Sequence, residues 1–338
     1  MLPGEEIIHV LPQEYKVDSQ GEIQEPVGMH GTRLEANFHV VVGQMGSIRN
    51  IARCVREAGL EMEALTLEPL ASSEAVLTKE EKEAGVAIID IGGGTTDIAI
   101  FKDNIIRHTC VIPYGGGIIT DDIKEGCSII EKHAEKLKVN FGSAVPELEK
   151  DTTFVTIPGL HGRPDKEISL KTLAQIVSAR VEEILEMVNT ELKAYGAFEQ
   201  KKKLIAGIVL TGGGSNLRHL RQLANYTTGF DSRIGFANEY VTNDKSQHLK
   251  GPEYATAIGL LMESLKIRDK KTAPIYVEEK AEVATKTNEA LTVEEILANE
   301  EGVIKEALVE EAAAKRRNKP TIDQKIMESV KKFFEEVE

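Results

Sequence analysis

Residues 86–101 read Val86-Ala-Ile-Ile-Asp-Ile-Gly-Gly-Gly-Thr-Thr-Asp-Ile-Ala-Ile-Phe101, and the fold class turns on them. Val86–Ile91 is almost wholly apolar, as in a strand covered on both faces, and Asp97–Phe101 is a second apolar run. Two such runs joined by Gly92, Gly93 and Gly94 predict a hairpin. Three successive glycines also let the backbone approach a ligand closely and turn its amides inward, which makes an anion cradle. Thr95 and Thr96 add hydroxyl donors beside it. Asp90 lies near the end of the buried run, where a carboxylate is costly unless satisfied. A hydrated Mg²⁺ accompanying a phosphate would satisfy it. The competing reading is a glycine-rich turn with polar flanks and no ligand.

Working outward, Leu204–Leu210 is another buried-type strand, closed by Thr211-Gly-Gly-Gly214 and Ser215. A helix is expected over Asn216–Tyr226, with Ser215 or Asn216 as its N-cap and an anion-favouring amino end. This second loop fits neither the dinucleotide nor the Walker spacing. Phe38–Val42 reads as a strand and Ser47–Ala58 as a helix stopped by Gly59. Leu170–Leu192 is a long amphipathic helix with apolar residues at helical spacing. Strands and helices mixed in this way predict an α/β protein.

The 338 residues exceed one compact core, and 41% hydrophobic with 28% charged residues is ordinary for a globular chain. The net charge of −14 disfavours nucleic-acid binding, because no excess of cations is available to release counterions. No apolar run is long enough to span a bilayer. Cys54, Cys110 and Cys127 lack metal spacing and an even count, as expected of reduced cytoplasmic thiols. The eight histidines are scattered without ligand spacing. From Lys266 onward the chain holds 14 basic and 17 acidic residues, and residues 266–320 are expected to be a flexible linker. Ile326, Val330, Phe333 and Phe334 then fall on one face of a terminal helix, 321–338. Such a helix suits a membrane surface. Its net −2 (three lysines against five carboxylates) leaves docking onto protein as the competing reading.

The two glycine loops together resemble the actin, sugar-kinase and heat-shock-chaperone ATPase superfamily. Asp90–Asp97 is similar to its second phosphate motif and Leu210–Ser215 to its adenosine motif. Leu67–Leu77 and Tyr254–Leu261 are similar to its two connecting helices. His9–Tyr15, Pro26–Gly28, Ile88–Ile98, Arg107–Thr109, Val111–Tyr114 and Gly207–Gly214 narrow the resemblance to the FtsA family of bacterial cell-division proteins.

That resemblance implies an actin-like (ribonuclease-H-like) two-lobed ATPase fold, amino-terminally truncated, with a disordered linker and a terminal amphipathic helix. Residues 1–66 would be the rest of an inserted subdomain and 67–112 the rest of a first lobe. Residues 113–133 and 205–265 would form a second lobe, and 134–204 an FtsZ-binding subdomain. ATP with Mg²⁺ would lie against Asp90, Gly92, Gly93, Gly94, Thr95, Thr96, Gly212, Gly213, Gly214 and Ser215, with Asp90 reaching the metal through water. Because the family's first phosphate loop is not in this sequence, weak or absent ATP binding is expected, and at most slow turnover. Lys166 and Arg180 would meet the acidic, apolar carboxy-terminal peptide of FtsZ, a guanidinium being suited to a carboxylate. The competing reading leaves Arg180 on the solvated face of its helix. The implied role is an adaptor tethering the FtsZ ring to the inner face of the cell membrane. It would assemble with itself and meet other divisome proteins. A small-molecule kinase or phosphatase of the same superfamily is the alternative.

Overall fold

The computed structural model describes residues 3–159, 164–237, 249 and 251–272. The expected linker beyond Thr272 and the terminal helix with Ile326, Val330, Phe333 and Phe334 lie outside the described residues.

A five-stranded mixed sheet forms the centre, built from β4 (Val86–Ile91), β5 (Thr96–Lys102), β6 (Ile105–Ile112), β9 (Ile208–Thr211) and β10 (Ser232–Ile234). Their order is β10-β9-β4-β5-β6. β4 and β5 pair antiparallel across the glycine turn, with Ile91 opposite Thr96. β9 lies parallel to both β4 and β10.

The apolar runs follow from burial on both faces. Ala87, Ile89 and Ile91 of β4, Ile98 and Ile100 of β5, and Ile208 and Leu210 of β9 enter one core. It is shared with α4 (Gly116–Gly126), α5 (Glu131–Phe141), α6 (Leu170–Tyr195) and α7 (Leu220–Thr228). The intervening Val86, Ile88, Ala99, Phe101 and Val209 enter a second core on the opposite face. There they meet α2 (Glu68–Val76) and α8 (Ala255–Thr272). Side chains alternating between two apolar layers remove the polar positions that a half-exposed strand would show.

α2 and α8 pack unusually closely. A Cβ on Gly259 would lie 1.8 Å from the Ala71 carbonyl oxygen. A separate three-stranded sheet, order β2-β1-β3, holds β1 (Glu5–Val17), β2 (Gln20–Ile23) and β3 (Leu34–Gln44). It leads into α1 (Met45–Glu57), which contains no buried residue. α3 (Lys79–Ala84) precedes β4 behind a Thr78–Glu81 capping box. β7 (Phe154–Ile157) and β8 (Lys166–Ser169) form a small hairpin ahead of α6.

Several expectations need correction. The sheet joins β4–β6 to β9 and β10, so residues 67–112 and 205–265 do not separate into a first and a second lobe. Backbone pairing between β4 and β9 overrides the division by motif. The Leu204–Leu210 strand starts only at Ile208, because Gly207 has φ +69° and a Cβ there would meet the Asp231 carbonyl at 2.2 Å. No single helix spans Asn216–Tyr226: Gly213–Asn216 is a 3₁₀ turn and α7 begins at Leu220. Its N-cap is His219, in the left-handed region, not Ser215 or Asn216. α8 continues to Thr272, past the expected start of the linker.

Candidate functional site

β4 and β9 are parallel neighbours, with Asp90 opposite Thr211. Both glycine loops therefore leave the sheet at the same edge, beyond the carboxyl ends of adjacent strands, where open α/β sheets leave a crevice. Gly92 and Gly93 from one loop and Gly213 and Gly214 from the other line a common cavity of about 360 Å³. Ile119, Glu135, Lys138, Asn216, Leu217 and Glu253 contribute further walls.

Within the first loop, Cβ atoms on Gly93 or Gly94 would meet nothing within 4 Å. Their amides donate to no acceptor among the described residues. Two free amides beside open space fit an anion. The carbonyls of the same loop are occupied: Gly116 N donates to Gly92 O at 2.9 Å and Gly117 N to Gly93 O at 2.7 Å. A Cβ on Gly115 would lie 2.6 Å from Gly92 O. The run Gly115-Gly-Gly117 thus seats the first loop on the amino end of α4. Its three consecutive glycines were the sequence signal for that seat.

Asp90 is 2% exposed. Its carboxylate accepts a hydrogen bond from the Ser72 hydroxyl of α2 at 2.5 Å and another from the Thr256 hydroxyl of α8 at 3.3 Å. Burial pushes its pKa above the ordinary carboxylate range against those two bonds. Asp97 is pushed up by burial, against a hydrogen bond from Thr95, and further by the charge of Asp90. Glu68, at the start of α2, is raised by desolvation of its carboxylate and then by Asp90 and Asp97. No Lys or Arg forms an ion pair with any of these three among the described residues. Nor do three His, Cys, Asp or Glu side chains converge there into a direct metal cage. The donor set fits a cation held through water, and Asp90 is its most buried member.

The other expected site residues divide. Gly212, φ +81°, sits directly above Asp90, where a Cβ would come within 2.3 Å of Asp90 Oδ1. The Thr96 hydroxyl donates to Tyr114 O and the Ser215 hydroxyl to Thr211 O, so both brace the loops internally. Thr95 donates to Asp97. Glu135 and Lys138, on α5, are site residues that sequence reading passed over. Lys138 Nζ donates to Thr120 Oγ1 at 2.7 Å and to Gly116 O at 2.8 Å, and pairs with Glu135 at 2.7 Å. One turn apart on a charged helix, they carried no sequence signal separating them from solvated residues.

A model described as "Cell division protein FtsA" matches residues 87–259, and one described as "SHS2 domain inserted in FTSA" matches residues 1–42. The chain belongs to the FtsA family. It is 38% identical over 272 residues to cell division protein FtsA of Neisseria meningitidis serogroup B, covering 80% of this chain and 65% of that protein. It is 40% identical to the Pseudomonas aeruginosa FtsA over 259 residues, covering 77% and 61% respectively. For the Borreliella burgdorferi FtsA the identity is 37% over 285 residues, covering 83% and 68%. The chain thus spans 61–68% of the length of these FtsA relatives.

Among solved structures it resembles a PilM–PilN type IV pilus biogenesis complex, with TM-score 0.57 and 18% identity, covering 78% of this chain and 68% of that one. It also resembles MreB5 of Spiroplasma citri bound to ADP, with TM-score 0.54 and 20% identity, covering 68% of each chain. The FtsA-family chain therefore has the actin-like α/β fold.

The expected partner residues lie in the β8–α6 region. Lys166, on β8, donates to the Cys127 carbonyl. Arg180, on α6, is not a free decoration of a solvated face. It donates to both carboxylate oxygens of Asp122 and to Glu183. No described helix is long and apolar enough to cross a membrane.

Proposed function

We propose that this chain carries the work of an FtsA-type cell-division adaptor. It tethers the FtsZ ring to the inner face of the cell membrane at the division site, assembles with itself as an actin-like protein and meets other divisome proteins. The observation that carries the reading is the common crevice of the two glycine loops in a chain that belongs to the FtsA family.

A nucleotide's phosphates suit the amides of Gly93 and Gly94, with Gly213 and Gly214 on the facing wall. Asp90 suits a water-bridged Mg²⁺, which offsets the uncompensated charge of Asp90, Asp97 and Glu68. Gly92 and Gly212 keep the two loops in close register, while Thr95, Thr96 and Ser215 hold their shape. Lys138, anchored to Thr120, Gly116 and Glu135, walls the remainder of the crevice together with Glu135. MreB5 bound to ADP shares the fold and supports the nucleotide assignment. ATP controls assembly in this reading, and turnover is at most slow. Residues 134–204, with Arg180 and Lys166, receive the FtsZ peptide. The terminal segment, with Ile326, Val330, Phe333 and Phe334, supplies the lipid contact.

The test is co-sedimentation of FtsZ polymers with liposomes in the presence of this chain. Recruitment that is lost on deleting 321–338, and separately on Arg180→Glu with an unchanged circular dichroism spectrum, supports the adaptor. FtsZ that stays in the supernatant with the intact chain overturns it. Isothermal titration with Mg-ATP, compared with Gly93→Val, tests the crevice. Equal heats from the two proteins remove the nucleotide assignment.

A further inference from the structure

Arg180 stands where α6 meets α4, and its N–H donors are divided unequally. Nε donates to Asp122 Oδ2 at 2.6 Å and Nη2 to Asp122 Oδ1 at 3.0 Å, so Asp122 holds one edge of the guanidinium at two points. Nη1 makes a single contact with Glu183, three residues along α6. The side chains of Arg180 and Asp122 are 23% and 27% exposed, whereas that of Glu183 is 47% exposed. All three wall a cavity of about 270 Å³ with Ile176 and Ala179.

These contacts differ in strength. A two-point, charge-assisted pair between mostly covered side chains is firm and fixes the plane of the guanidinium. A single half-exposed pair contributes about 0.2–1 kcal/mol. A guanidinium clamped along its Nε–Nη2 edge still presents a second fork along its Nη1–Nη2 edge. That fork is the one Glu183 touches, and it opens beside an apolar floor.

We propose that Asp122 is a positioning residue that orients Arg180, and that Glu183 is an exchangeable stand-in for the carboxylate of an acidic, apolar peptide docking over Ile176 and Ala179. The proposal rests on the FtsZ-peptide reading of this surface and adds to it how the seat is kept when empty. Docking exchanges one carboxylate for another at the guanidinium, so the Nη1 fork of Arg180 is never left without a carboxylate. Glu183 swings into water, where its solvation offsets the lost contact. The two acidic residues beside Arg180 therefore act in opposite senses, although both carry the charge of the incoming peptide.

That opposition is the test. Fluorescence anisotropy of a labelled FtsZ carboxy-terminal peptide is measured against the full chain and its variants, with thermal melts to verify folding. Arg180→Ala weakens binding by about tenfold or more, the cost of losing one partner of a covered charge pair. Glu183→Gln tightens it about threefold by vacating the seat. Asp122→Asn weakens it about threefold despite removing a negative charge, and Asp122→Glu restores part of the loss. If Asp122→Asn tightens binding as Glu183→Gln does, both act only as bulk negative charge and the positioning role is overturned. If Glu183→Gln leaves affinity unchanged, the stand-in role is overturned. If the unmodified chain does not bind, or binds unaffected by Arg180→Ala, the FtsZ reading of the surface fails and the proposal with it.

Discussion

The two sheets of this FtsA-family chain draw on the same β-branched vocabulary and use it differently. Every residue of β4 is buried, and its side chains feed two cores. β3 alternates instead, leaving Phe38, Val40 and Val42 between 41% and 48% exposed, while Ile7 and Val10 stand exposed on the paired β1. The five-stranded sheet has a helical layer on each face. The three-stranded sheet is covered on one side, where Leu11 meets the second core, Gln13 donates to Ile106 O and His39 bonds Thr109. Strand propensity is thus common to both, but packing density separates them, and the crevice is built on the dense one. Stability follows burial more than strand character.

Substitutions at matched aliphatic positions test this contrast hardest. Ile89→Ala, at a fully buried site on β4, is expected to cost about 4 kcal/mol in a urea unfolding titration. Gly259→Ala comes next. The added methyl would drive α8 away from the Ala71 carbonyl of α2, costing about 2 kcal/mol by the same measurement. A normal melt for that variant would mean that the α2–α8 contact is looser than its geometry.

Asp90→Asn sharpens the comparison from the electrostatic side. Because burial raises the folded-state pKa of Asp90, folding takes up a proton between the unfolded and folded values. Its contribution is fully present below the ordinary carboxylate range and is lost as pH rises through the folded pKa. The amide can still accept the Ser72 hydrogen bond, so at pH 7–8 the variant is expected to be more stable by about 1 kcal/mol. Thermal melts should show that gain vanishing towards pH 4. A gain independent of pH would exclude the ionisation of Asp90 as its source. Smallest is Val40→Ser on the exposed face of β3, expected to shift stability by no more than about 0.5 kcal/mol. A loss comparable to that of Ile89→Ala would erase the distinction between the two sheets.

Local chemistry made much of this protein legible. The β4–glycine–β5 hairpin, the long helix α6 and the α/β class follow from apolar spacing and turn residues, because those are short-range properties of the backbone. So does the need for a partner at Asp90, since a carboxylate in a buried run cannot remain without one. Other features depended on which strand lies beside which. Parallel pairing of β4 with β9 placed both glycine loops on one sheet edge, correcting the assignment of residues 67–112 and 205–265 to different lobes. Helix packing brought Ser72 and Thr256 to Asp90, Lys138 and Glu135 to the crevice, and Asp122 to Arg180. These partners lie tens to well over a hundred residues apart, or on helices whose charged residues look like any solvated surface. Sequence determined which groups need a counterpart; only tertiary packing decided which counterpart each received.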